Sequence, residues 1–147
     1  MKAGVLVDTD VMADFLLGAP EAAAFFRANG DRMALSAVTV AEVFAGARAE
    51  ELAALEELTE AFPVLPATGE IAREAGRLKG RDGRTHGTGL ADALVAATAR
   101  LHGMELATLN TRHFPMWPGL RPAFDAGGEA GCGRGMADGG RRATTPI

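Results

Sequence analysis

Four residues have the types and settings for metal-assisted chemistry. Asp8 closes the apolar run Gly4-Val5-Leu6-Val7, Glu42 follows Thr39-Val40-Ala41, Asp92 interrupts the apolar stretch from Leu90 to Ala99, and Asn110 follows Leu106-Ala107-Thr108-Leu109. Hard carboxylate oxygens with a neutral amide oxygen suit Mg²⁺ or Mn²⁺, which take few protein ligands and keep waters for a substrate's phosphate oxygens. Such an ion lowers the pKa of a bound water and neutralises charge developing on a phosphodiester, and a second ion can stabilise the leaving oxygen. Each residue also has a plainer use. Asp8 can cap a helix starting near Thr9, Asn110 can open a turn, and Thr39 with Glu42 fits a capping box. Asp92 is the hardest to explain structurally, because its neighbours are almost all apolar. A carboxylate buried alone costs several kcal/mol, roughly, against about 0.3–1 kcal/mol returned by a helix dipole.

The elements that would position these residues alternate between strand and helix. Gly4 to Asp8 reads as a buried parallel strand, and helices are expected over Thr9–Leu17 and from Pro20 to Gly30. Met33–Ser36 reads as a second strand, followed by helices from Thr39 to Ala47 and from Glu50 to Phe62. Val64-Leu65 is a short strand, Gly69–Lys79 and Leu90–Leu101 are helices, and Glu105–Leu109 is a last strand. This order predicts an α/β fold with a mainly parallel sheet, whose ligands bind beyond the carboxyl ends of the strands. Asp8 and Asn110, both at strand ends, are expected on that shared rim.

A chain of 147 residues with 48% hydrophobic content reads as one domain able to bury a core without disulfides, and its single Cys132 cannot form an internal one. Residues 1–124 are treated as one unit, and the Gly-rich stretch 125–147 as a disordered tail. The N-terminus does not read as a signal peptide, and no apolar run approaches the roughly 18 residues of a membrane helix, so a cytoplasmic protein without membrane contact is expected. With 15 Lys and Arg against 19 Asp and Glu, the chain cannot coat nucleic acid by bulk charge. Basic residues concentrate locally at Arg73, Arg77, Lys79, Arg81 and Arg84, where they could flank a nucleic acid or simply solvate a helix end. His86, His102 and His113 lack zinc-motif spacing, and Cys132 lacks an activating neighbour, so structural or surface roles are expected for all four.

Four segments taken in order, Val5-Leu6-Val7-Asp8-Thr9-Asp10, Ser36 to Gly46, Leu90 to Ala99 and Leu106 to Phe114, resemble the successive motifs of the PIN domain. Their spacing is similar to that of the small VapC-type toxins of toxin–antitoxin pairs. The resemblance implies a three-layer α/β/α fold and a metal-dependent endoribonuclease that is usually dimeric and is inhibited by a cognate antitoxin. It further implies that Asp8 and Asp92 hold Mg²⁺ or Mn²⁺, and that Glu42 completes the cluster directly or through water. Thr9 and Thr108 match small polar positions at its border. Asn110 stands where many relatives carry a fourth Asp, which removes one negative charge, and Asp10 is secondary. The antitoxin is expected in a groove near the acids. The apolar residues Phe15, Leu16, Phe25 and Phe26 are candidates for partner contact or for the core. Two other readings remain: a PIN-like module that binds RNA or protein without cutting, and a haloacid-dehalogenase-like phosphatase with Asp8 as nucleophile. The latter lacks its later lysine and acidic motifs.

Overall fold

A strand that is apolar at every position has to be covered on both faces, and β1 (Val5–Val7) is buried throughout. A computed structural model describes residues 2–86 and 88–125, apart from the side chains of 82–87. The pleat sends Val5 and Val7 into one core and Leu6 into another. β2 (Met33–Ser36) repeats the division, with Met33 and Leu35 on the first side and Ala34 on the second. β3 (Val64–Leu65) and β4 (Glu105–Ala107) complete a parallel sheet of order β3-β2-β1-β4.

The first core is closed by Val11 and Met12 of α1 (Thr9–Leu16), Phe25 and Phe26 of α2 (Pro20–Asn29), Val43 of α3 (Ala37–Gly46) and Leu55 of α4 (Leu52–Glu60). The second is closed by Ile71, Ala75 and Leu78 of α5 (Gly69–His86) and by the small-residue face of α6 (Leu90–Leu101). The result is the parallel α/β sheet expected from the alternation of elements, in the three-layer α/β/α architecture that the resemblance implies. Among the described residues no helix is long and apolar enough to cross a membrane.

Several boundaries differ from expectation for identifiable reasons. α3 starts at Ala37 rather than Thr39, because the Ser36 hydroxyl accepts the Val38 amide and takes the cap. Thr39 is fully buried one turn inside, and its hydroxyl has no hydrogen-bond partner. α5 runs past Lys79 to His86. A helical glycine costs only about 1 kcal/mol, which the packing of Ile71, Ala75 and Leu78 overrides. A 3₁₀ turn over Ala49–Glu51 precedes α4, and the last strand stops at Ala107. The expected disordered tail lies outside the described residues from position 126 onward, as does Cys132.

The turn from α6 into β4 has a specific requirement. Met104 N–H donates to Ala99 C=O at 2.9 Å and Gly103 N–H to Arg100 C=O at 3.2 Å, a Schellman ending with Gly103 at a φ of +63°. This ending sets the entry of β4 beside β1. Gly103→Ala is expected to lower stability by about 1 kcal/mol, measured by urea denaturation, because alanine has to enter the left-handed region. An unchanged midpoint would show that the turn relaxes freely.

Candidate active site

The chain lays β2 and then β3 to one side of β1 and returns to place β4 on the other. The reversal leaves a crevice between the carboxyl ends of β1 and β4, the usual ligand position in open α/β sheets. Val7 pairs with Ala107 in register, so Asp8 and Thr108 leave the sheet side by side. Asp8 N–H donates to Ala107 C=O at 2.9 Å, and the Thr108 hydroxyl donates to Asp8 Oδ2 at 2.8 Å. Asp8 occupies the N-cap position of α1, but its side chain makes no capping hydrogen bond. The carboxylate faces Thr108 in the crevice, while the Thr9 amide at the start of α1 also favours its charged form.

Asp10 faces the same threonine from α1. Its Oδ2 accepts the Leu109 amide at 3.0 Å and lies 3.3 Å from the Thr108 hydroxyl, while Oδ1 is buried without a hydrogen-bond partner. Asp10 therefore ties the start of α1 to the segment after β4. Glu42 sits on the exposed side of α3, two turns from the cap, where it cannot complete a capping box. Instead its Oε1 accepts the Thr9 hydroxyl at 2.6 Å, joining α3 to the start of α1. Asp92, in the first turn of α6, folds Oδ2 back onto the Gly89 amide at 3.3 Å.

Burial pushes the Asp8 carboxyl from the usual 3.8 up to about 7, and the charges of Asp10 and then Asp92 add to it. Asp10 is raised mainly by burial, and Asp92 by burial with a smaller contribution from Glu42. Asp92 is thus within electrostatic reach of both Asp8 and Glu42. Among the described residues no Lys or Arg forms an ion pair with Asp8, Asp10, Asp92 or Glu42. These residues also hold no group of three His, Cys, Asp or Glu side chains arranged to enclose an ion. The donor set nonetheless fits a hard divalent cation: carboxylate oxygens gathered around the buried Asp8, which Asp10 and Asp92 raise further, with no Lys or Arg among the described residues paired to them.

Asn110 lies at the rim, and its Nδ2 faces the ring of His113 at 3.3 Å from Nδ1 and 3.4 Å from Nε2. His113, expected to be a structural or surface residue, places Nδ1 3.3 Å from Asp92 Oδ2. Zinc-motif spacing could not reveal it. The available signal was its position three residues after Asn110, in the 3₁₀ turn Thr111–His113 that follows a strand end. The basic cluster divides. Arg77 is paired with Glu74, Lys79 donates to Thr88 C=O at 2.9 Å, and Arg73 and Arg81 lie exposed on α5. The side chains of Arg84 and His86 lie outside the described residues. Phe25 and Phe26 are core, Phe15 stacks on Phe26, and Leu16 is exposed.

Fold and site together define a parallel α/β protein of the PIN type, with its acids at the crevice between β1 and β4. The chain belongs to the PIN domain family, whose model matches residues 5–115. It is 42% identical over 124 residues to Ribonuclease VapC10 of Mycobacterium tuberculosis, covering 82% of this chain and 92% of that protein. Ribonuclease VapC19 of the same organism is 42% identical over 123 residues, with 81% and 98% covered. The DNA-bound VapBC structure from Salmonella typhimurium superposes with a TM-score of 0.69 at 27% identity, over 82% of this chain and 96% of that one.

The raised Asp8 pKa has a fixed sign for stability. The folded state binds the Asp8 proton more tightly than the unfolded state, so this contribution is fully present below about pH 4 and is lost as pH rises through about 7. In EDTA, Asp8→Asn is therefore expected to melt several degrees above wild type at pH 8, with the difference shrinking toward pH 4. Equal melting temperatures across that range, by circular dichroism, would rule out electrostatic strain at Asp8.

Proposed function

We propose that this chain is a metal-dependent endoribonuclease, hydrolysing RNA phosphodiester bonds with an activated water, and that it serves as the toxin of a toxin–antitoxin pair. The observation that carries the reading is the set of carboxylates Asp8, Asp92 and Glu42, electrostatically coupled in a PIN domain with no Lys or Arg among the described residues paired to them. The relatives that share 42% of their aligned residues with it are named ribonucleases. A cytoplasmic location belongs to the same reading.

Asp8 and Asp92 would hold Mg²⁺ or Mn²⁺, with Glu42 joining directly or through water and Asn110 contributing a neutral group at the rim. When bound, such an ion makes a coordinated water acidic and offsets charge gathering on the phosphate. The Thr108 hydroxyl fixes Asp8 Oδ2, so the Asp8 carboxylate keeps one orientation. Thr9 engages only Oε1 of Glu42, and the exposed carboxylate can take a proton from the attacking water through Oε2. The exposed Arg73 on α5 supplies local attraction for an RNA backbone that the net charge of -4 does not.

The antitoxin is assigned to the cavity of about 650 Å³ bounded by α1, α3 and α4, lined by Ala13, Leu16, Leu17, Val43 and Leu55. Thr9 and Glu42 line the same cavity, so an apolar segment docked there reaches the acids. The phosphatase reading draws no support, since Asp10, the acid it needs, is bonded to the Leu109 amide, and the family is PIN.

The test is cleavage of total RNA by antitoxin-free protein in Mg²⁺, Mn²⁺ or EDTA. Discrete fragments are expected with metal only, with Asp92→Asn reducing the rate about 100-fold or more while remaining folded. A purified antitoxin should suppress cleavage by wild type but not by Leu16→Asp. Undiminished cleavage by Asp92→Asn would overturn the catalytic assignment. Metal-independent RNA binding without cleavage would favour the binding module.

A further inference from the structure

Asp92 stands in the first turn of α6, away from the strand ends that hold Asp8 in place. We infer that His113 is its positioning residue, holding Asp92 Oδ2 through Nδ1–H while the Asn110 amide sets the ring, so that Oδ1 is left for the ion. The inference rests on the metal site proposed above, and it adds the pair of residues that orients one of its ligands.

His113 Nδ1 lies 3.3 Å from Asp92 Oδ2, an attractive contact when Nδ1 carries a hydrogen. The Asn110 Nδ2 packs against the ring, 3.3 Å from Nδ1 and 3.4 Å from Nε2, and so limits the positions the ring can take. Asp92 Oδ2 also receives the Gly89 amide at 3.3 Å, which leaves the two donors on one oxygen. Among the described residues no hydrogen bond reaches Oδ1.

The backbone around the pair is fastened to the same end of α6. The Thr88 hydroxyl donates to His113 C=O at 3.1 Å, and Lys79 Nζ holds Thr88 C=O at 2.9 Å. His113 N–H closes the 3₁₀ turn onto Asn110 C=O at 3.1 Å, and the next residue, Phe114, is buried in the second core. The turn that carries His113 is thus fastened to the segment that leads into the first turn of α6, where Asp92 stands. Partners of this kind, one bond removed from a metal, commonly change its affinity by about 10–100-fold when removed.

The test titrates Mn²⁺ calorimetrically into the full chain as wild type, His113→Ala and His113→Gln. The His113 side chain is 41% exposed, so its truncation leaves the cores intact. About 10–100-fold weaker Mn²⁺ binding is expected for His113→Ala, with His113→Gln within about threefold of wild type because its amide can still donate to Oδ2. Wild-type affinity in His113→Ala, or an equal loss in both variants, would overturn the inference. In EDTA, the melting-temperature changes of Asp92→Ala and His113→Ala should be non-additive in the double variant, and additivity would also overturn it. A wild-type chain that binds no Mn²⁺ would refute the metal site itself, and the EDTA cycle would still decide whether His113 holds Asp92.

Discussion

Negative charge gathered with no lysine or arginine among the described residues paired to it is the constraint around which this molecule is arranged. Asp8 is buried beside Asp10 and feels Asp92, Asp92 in turn feels Glu42, and no arginine or lysine among the described residues pairs with any of them. Carboxylates in that position cost stability unless something neutralises them. The fold bears part of the cost through hydroxyls and amides: Thr108 on Asp8, Leu109 on Asp10, Thr9 on Glu42 and Gly89 on Asp92. Neutral donors orient the oxygens without cancelling their charge, which leaves the site suited to a divalent ion.

Sheet topology explains why these residues meet. Asp8 and Thr108 are 100 positions apart in sequence, yet parallel pairing of β1 with β4 makes them neighbours at one edge. The strands are only two to four residues long, so their register is held by the two cores they divide rather than by ladder length. A slip of one residue would send Leu6 into the wrong core and turn Asp8 away from Thr108. Packing far from the crevice is thus what fixes its geometry.

Much of this was legible in the sequence. Strands that are apolar at every position announce a doubly covered parallel sheet, and acids at their ends fall on one rim by topology alone. The placement of Glu42 was less legible, because Thr39 to Glu42 has the spacing of a capping box. Ser36 takes the cap instead, since the turn begins directly at the end of β2. His113 was missed for a related reason. Its role depends on a contact 21 positions away in sequence, formed only once the turn after β4 is fastened to Thr88. Local pattern registers caps and periods, whereas contacts between distant loops emerge only when the layers are assembled. The extent of α5 depended on tertiary packing in the same way, outweighing glycines that read as stops.

The most direct test of the central claim is a crystal structure of the chain grown with Mn²⁺, with anomalous differences collected at the manganese edge. The account predicts an anomalous peak in the crevice, within coordinating distance of Asp8 and Asp92 oxygens, and His113 still in contact with Asp92. An ordered site with Asp8 and Asp92 in place and no anomalous peak at saturating Mn²⁺ would contradict it.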